Sequence, residues 1–375
     1  MVGLKQSVWI APAAMIAGSV AMTSAAQAED GFSFYGRLGG AITSVDDGVD
    51  SQSEFSDNSN SSSRVGAWYE RGVAGGTLKF NVEASLGLRG TDEVSQAGTP
   101  DFLYWDRNDI RKFEAIYETD RFGTFYIGEG SSSSDGTASA GDVAGTDIAG
   151  GVFVADTAGG YQFRTSAGAL SGVSIGDVFD GLDGGRLGRI RYDAPTFNGF
   201  TVSASAGTEI LEPNVDREYY DLAVYYNNTL GDYDVAGGLS YSQTGNTDND
   251  ADAIVGSVGA LHTPTGLSAS VAYGTADFDN NGAGGQPDAD YVYVKLGLQR
   301  DWFSIGRTYL SVDAYRGNDF ASAGDESTAY GIEAVQDIDN SNMKVFASYH
   351  QHQYEATGAS FQDVDAFLVG ARWSF

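Results

Sequence analysis

Thr77-Leu78-Lys79-Phe80-Asn81-Val82-Glu83-Ala84-Ser85-Leu86-Gly87-Leu88-Arg89 is the stretch on which the reading of this chain turns. Leu78, Phe80, Val82, Ala84, Leu86 and Leu88 share one parity. Thr77, Lys79, Asn81, Glu83, Ser85 and Arg89 share the other. On a helix these charges would scatter round the whole circumference. On a strand, successive side chains point to opposite faces, so the period is two. Residues 77–89 therefore read as a strand with one apolar and one polar face.

The same rule recurs along the chain. Tyr220, Leu222, Val224 and Tyr226 oppose Asp221 and Tyr225. Tyr233, Val235, Leu239 and Tyr241 oppose Asp232, Asp234, Ser240 and Ser242. Val292, Val294, Leu296 and Leu298 oppose Tyr291, Tyr293 and Lys295, and Leu310, Val312 and Ala314 oppose Ser311 and Asp313. Between strands, tight turns at 229–232, 263–266 and 339–341 alternate with long, acidic, Gly-rich loops at 243–251, 277–289 and 317–326. A soluble sandwich also alternates. Short turns at one end and long loops at the other are the habit of barrels that span an outer membrane, where closure satisfies every backbone group. Strand starts near 32, 61, 77, 110, 122, 188, 198, 218, 231, 252, 266, 290, 305, 327, 342 and 364 predict an all-β, transmembrane antiparallel β-barrel of about sixteen strands. A barrel of that size leaves an aqueous lumen.

Composition agrees. The 375 residues include 51 Gly, 21 Tyr and 20 Phe but only 6 Pro, which suits tight turns and aromatic belts. A net charge of −30 excludes nucleic acid as a partner, because phosphates would be repelled. With 0 Cys there is no disulfide framework. Lys5, an uncharged stretch from Val8 to Met22 and Ala26-Gln27-Ala28 make residues 1–28 an expected cleaved export signal, with 29–375 as the barrel. Beyond it no apolar run reaches the roughly 18 residues of a membrane helix. Phe367, Val369, Ala371, Trp373 and Phe375 share a face of the last strand and resemble the segment by which the barrel-assembly machinery recognises its clients.

Several stretches resemble the general porins of Gram-negative bacteria, especially the alphaproteobacterial branch. They are Phe34-Tyr35-Gly36-Arg37-Leu38-Gly39-Gly40, Ser63-Arg64-Val65-Gly66, Arg121-Phe122-Gly123-Thr124-Phe125-Tyr126-Ile127-Gly128, and Arg189-Ile190-Arg191-Tyr192-Asp193-Ala194-Pro195 followed by Phe197-Asn198-Gly199-Phe200. Each is short, and their order is the stronger signal. The resemblance implies a sixteen-stranded barrel, a homotrimer in outer-membrane lipid and lipopolysaccharide, passive diffusion of small hydrophilic solutes and ions, and a third loop folded into the lumen. The segment from Gly130 to about Gly185 is long enough to be that loop; a constriction and an extracellular lid both remain open.

In the family, basic wall residues face acids on the third loop. By alternation Arg37 and Arg64 point inward, at positions matching that wall. On the fourth strand Arg111 aligns by spacing to Gly123, whereas Lys112 points inward if Phe113, Ala115 and Tyr117 face lipid; Arg111 is retained. Arg89, Arg186 and Arg189 are further basic candidates, and Asp135, Asp142 and Asp147 are the acids expected opposite. The proline–acid–aromatic–glycine turn of some members is missing here. Small inward residues (Gly39, Ala41, Ser203, Ser205, Ser240) argue for open space and against a plugged structural or adhesive barrel. A substrate-specific channel would instead show an aromatic slide.

No cofactor is required by this reading. Asp277, Asp279, Asn281 and Asp288, with Gly282, match the spacing of a Ca²⁺ loop, although the flanks read as strands. Asp248, Asp250 and Asp252 form a second acidic cluster. His350 and His352 share a strand face but have no acidic partner close in sequence. No G-x-S-x-G occurs, and the chain reads as a channel, not an enzyme.

Overall fold

The structure, a computed structural model, describes residues 30–213, 215, 217–245, 249–280 and 288–375. The expected export signal lies outside them. The strands are β1 Gly31–Asp46, β2 Ser51–Ser56, β3 Arg64–Val73, β4 Gly76–Ser85, β5 Ile110–Thr119, β6 Gly123–Ser131, β7 Gln162–Arg164, β8 Leu170–Ser174, β9 Arg186–Asp193, β10 Phe200–Thr208, β11 Glu218–Leu230, β12 Tyr233–Gly245, β13 Asn249–His262, β14 Leu267–Asn280, β15 Ala289–Phe303, β16 Gly306–Asn318, β17 Glu326–Ile338, β18 Met343–Ala356, β19 Ala359–Ser360 and β20 Val364–Ser374.

Sixteen of these form one closed antiparallel barrel. Each pairs with the next along the chain, β6 passes directly to β9, and β1 pairs with both β3 and β20. The seam is completed by Phe375, whose backbone N–H and C=O both bond Gly36 at 3.0 Å. β2 and β19 are short extensions along β1 and β18, and β7–β8 is a small hairpin inside the long loop.

The burial pattern follows the parity of the sequence. Leu222, Val224, Leu239, Val294, Leu296, Val312, Ile332 and Val369 are exposed on the outer face, where hydrocarbon replaces water. Asp221, Ser240, Lys295, Ser311, Asp313 and Glu333 are buried on the inner one. Near the short turns, aromatic pairs such as Phe32–Tyr69, Phe125–Tyr192, Phe200–Tyr226 and Trp373–Phe375 pack with tilted rings, their centroids 4.5–4.9 Å apart. Amphipathic rings belong at that depth, where hydrocarbon meets headgroups. The tight turns are made as their residues require: Gly231, at φ +64°, takes the left-handed position between β11 and β12.

One boundary differs from the reading of 77–89. β4 stops at Ser85, because Gly87 adopts φ +63° beneath Trp105 and turns the chain into the second long loop. Leu88 then makes only an isolated bridge to Leu103.

Candidate functional site

Residues 132–185 connect β6 to β9, and their bonds run to inward-facing side chains. Ser133 N–H bonds Ser205 Oγ at 2.9 Å, and Ser134 donates from its amide and hydroxyl to Asp221 at 2.8 and 2.6 Å. Thr137 meets Ser240 at 2.7 Å, and Gly141 N–H reaches Ser257 at 2.8 Å. Gln299 donates to Val143 O at 2.8 Å, and Thr146 meets Ser311 at 2.6 Å. Asn58, in the first loop, donates to Ile148 O at 2.7 Å. The segment thus lies along the inner wall in strand order, from β10 to β17. The space is made by small residues. A Cβ on Gly259 would land on the Gly141 carbonyl, and one on Gly297 would lie 2.8 Å from Ala144 Cβ.

This corrects one inference. Ser203, Ser205 and Ser240 do not mark open lumen; they bond the loop, and Ala41 packs beneath Ile148 and Ala149. A backbone without secondary structure must place its N–H and C=O groups somewhere, and short hydroxyls on the wall supply partners. Further on, Val152, Val154, Phe163, Ile175, Val178 and Phe179 form an apolar core with Tyr291, Tyr315 and Tyr354. Those tyrosines are covered by the loop, so they offer no aromatic slide to a solute.

The loop's root is held by β9. Arg189 pairs with Glu114 at 2.5 Å and donates to Ser131 O at 3.0 Å. Arg191 makes a two-pronged pair with Asp193 at 2.8 and 3.0 Å and donates to Ser132 O at 2.7 Å. Arg189 is therefore a structural cation, neutralised in place. Arg89 also leaves the wall, donating to Pro100 O and Phe55 O among the outer loops. Arg186 is exposed at the start of β9.

The other expected arginines gather. Arg37 and Arg64 are direct cross-strand partners of β1 and β3. Arg64 and Arg111 converge on buried Glu83, at 3.4 and 2.9 Å. The choice between Arg111 and Lys112 is resolved by backbone geometry. The ladder passes from Glu83–Lys112 to Ala84–Ile110, leaving Arg111 as the extra residue of a bulge. A bulge re-aims one side chain out of the alternation. Arg372 on β20 joins the group and was not singled out from the sequence, although the parity of Phe367, Val369 and Trp373 sends it inward. Glu83 was likewise visible on the polar face of β4, but its role as pivot needs three strands brought together.

The three acids have different surroundings. Asp147 is exposed and within electrostatic range of Arg37 and Arg372. Asp135 is within range of Arg111. Asp142 turns to the opposite wall and pairs with fully buried Lys295 at 3.1 Å, so it does not face the arginines. Lys295 also donates to Gly150 O at 2.8 Å and lies 3.7 Å from Glu333. Of the Ca²⁺-like set, Asp277 and Asp279 lie in β14, paired with Asp252 and Asp250 of β13, and Asn281 lies outside the described residues. Asp288 accepts from Phe278 N–H at 3.4 Å.

A family model for Gram-negative porins matches residues 13–357. The chain belongs to the Gram-negative porin family. No curated protein matches its sequence significantly. Among solved structures, the porin is similar to an anion-selective porin from Comamonas acidovorans, at 17% identity over 92% of this chain and 100% of that one, with a TM-score of 0.60. It is similar to OprB of Pseudomonas putida at 10% identity over 92% and 94% of the two chains, TM-score 0.63. The trimer form of OmpT, an outer membrane protein of Vibrio cholerae, matches at 18% identity over 92% and 99%, TM-score 0.58. These likenesses show the fold, and the family makes the porin an outer-membrane channel. Fold and family point to a channel rather than an enzyme.

Proposed function

We propose that the porin passes small hydrophilic solutes and ions by diffusion through an eyelet between the arginine wall and the loop lying along the opposite wall. The observation that carries this is the clustering of Arg37, Arg64, Arg111 and Arg372 on one side of the lumen, with exposed Asp147 in electrostatic range of two of them. Among the described residues, the ion pairs of these arginines run to Glu83 alone, which leaves the wall net positive. A constriction selects by size and by local field, so this wall, not the chain's net charge of −30, sets the ion preference. The covered tyrosines argue for general diffusion over a substrate-specific slide.

The finer parts of the reading are a homotrimer, contact with lipopolysaccharide, delivery by the barrel-assembly machinery through Phe375, and a loose Ca²⁺ locus at Asp277, Asp279, Asn281 and Asp288. Planar-bilayer conductance in a salt gradient tests the eyelet. Stepwise ohmic insertions without solute saturation are expected, in threes for a trimer. Arg37→Glu with Arg64→Glu should move the reversal potential toward cations. An unchanged reversal potential would show that the wall is assigned wrongly, and a non-conducting folded barrel would show that the lumen is closed.

A further inference from the structure

Asp313 on β16, Glu333 on β17 and His350 on β18 meet on the inner wall, and their ligand atoms lie within 4.8 Å of one another. Their side chains are 0–1% exposed. Glu333 Oε1 and His350 Nε2 are 3.4 Å apart, and neither has a hydrogen-bond partner; His350 Nδ1 has none either. His350 Nε2 is 3.9 Å from Asp313 Oδ2. Tyr293 OH donates to Asp313 Oδ2 at 2.8 Å, the same oxygen that faces His350, and Ser311 donates to Glu333 Oε2, the oxygen turned away from it. The space is kept by two glycines. A Cβ on Gly331 would strike Asp313 and His350 from below, and one on Gly150 would lie 2.7–2.9 Å from His350 and Glu333 from above.

We propose that this pocket is a binding site for a first-row divalent metal ion of the Zn²⁺ type, held by His350, Glu333 and Asp313 beneath Gly150. Three arguments carry it. Buried polar atoms are rarely left unpaired, and here an unpartnered imidazole nitrogen and carboxylate oxygen face each other. Ligands about 2.0–2.2 Å from a tetrahedral ion stand roughly 3.3–3.6 Å apart; the Glu333–His350 separation of 3.4 Å falls in that range, and Asp313, at 3.9 Å from His350, would close in on binding. The charge is also short. Asp142, Glu333 and Asp313 place three carboxylates near the single ammonium of Lys295, and even a protonated His350 would leave an excess of one negative charge where burial makes uncompensated charge costly. One nitrogen with two carboxylates favours Zn²⁺ and its neighbours over Ca²⁺ or Mg²⁺, which take oxygen ligands. Tyr293 and Ser311 orient the carboxylates as outer partners of such a site do.

The test uses the full chain refolded in detergent, stripped with EDTA. Zn²⁺ retained after desalting is counted by mass spectrometry, and Co²⁺ is titrated by its visible absorption. One equivalent per chain is expected, with affinity falling about a hundredfold or more in His350→Gln and in Glu333→Gln. The double variant Asp277→Asn/Asp288→Asn should keep the ion, which separates this pocket from the acidic loop. Heat-modifiable migration on gels checks that each variant folds. Should the ligand variants fail to fold, Tyr293→Phe, which removes only an outer donor, should still weaken binding. No retained equivalent in the parent protein would overturn the proposal and leave a plain imidazole–carboxylate pair. Retention in the ligand variants, or loss only in the acidic-loop variant, would overturn it as well.

Discussion

Lys295→Met removes one ammonium from the centre of the loop–wall contact and leaves a side chain of similar volume. Lys295 and Glu333 are both 0% exposed, and Asp142 is 12% exposed. At 3.1 and 3.7 Å with an effective dielectric constant near 20, each attraction is worth roughly 5 kcal/mol gross. Most of that offsets the desolvation of the charges. The measurable loss is therefore that of stranding two carboxylates and the Gly150 carbonyl, about 3–5 kcal/mol. The assay is a urea titration of the barrel in lipid vesicles followed by tryptophan fluorescence, with EDTA present so that no metal compensates. Lys295→Met should lower stability by that amount. Adding Asp142→Asn and Glu333→Gln to it should return at least half, because neutral partners need no counter-charge. A loss under about 1 kcal/mol, or no recovery in the triple variant, would refute the view that Lys295 is the buried counter-ion of the loop.

Two further outcomes follow from the same geometry. Gly259→Ala would push its methyl group onto the Gly141 carbonyl and lift the loop from β13 at a cost of about 1–3 kcal/mol, whereas Gly72→Ala, with nothing within 4 Å, should be near neutral. Limited proteolysis of residues 132–185 reads the difference. Asp47 ties the first loop to the third: burial pushes its carboxyl up, but the amides of Asp50 and Val49, with Arg164 at 2.8 Å and Gln96 at 3.1 Å, outweigh this and hold it below the usual carboxylate value. A depressed carboxyl contributes stability above its unfolded value near 3.9, and that contribution is lost as pH falls further. Protease sensitivity of the outer loops should therefore rise on acidification below about pH 4 in the parent chain, and Asp47→Asn should show it already at neutral pH.

Much of the barrel was legible because its signal is local. Parity along 218–227 or 290–298 says which side chains face lipid, and Gly231 or Asn340, at φ +64° and +62°, marks a tight turn within a few residues. The arginine wall was partly legible for the same reason, since Arg37 and Arg64 obey the alternation. Arg111 was ambiguous because a bulge breaks the period at one residue. Asp142 was misplaced opposite the arginines because no periodicity governs residues 132–185. His350 had no acid near it in sequence; its partners come from β16 and β17, 37 and 17 residues away.

The sequence by itself determined the strand parity, the count of about sixteen, the alternation of tight turns with long loops and the inward direction of two wall arginines. Each is a property of neighbours along the chain, set by the two-residue period of a strand and the backbone demands of a turn. Only the tertiary structure decided where the long loop lies, that small serines and glycines seat it rather than open the lumen, and which buried charges meet. Those contacts join residues far apart in the chain, and they arise because closing the sheet brings the inner faces of distant strands around one loop that must place its polar backbone somewhere.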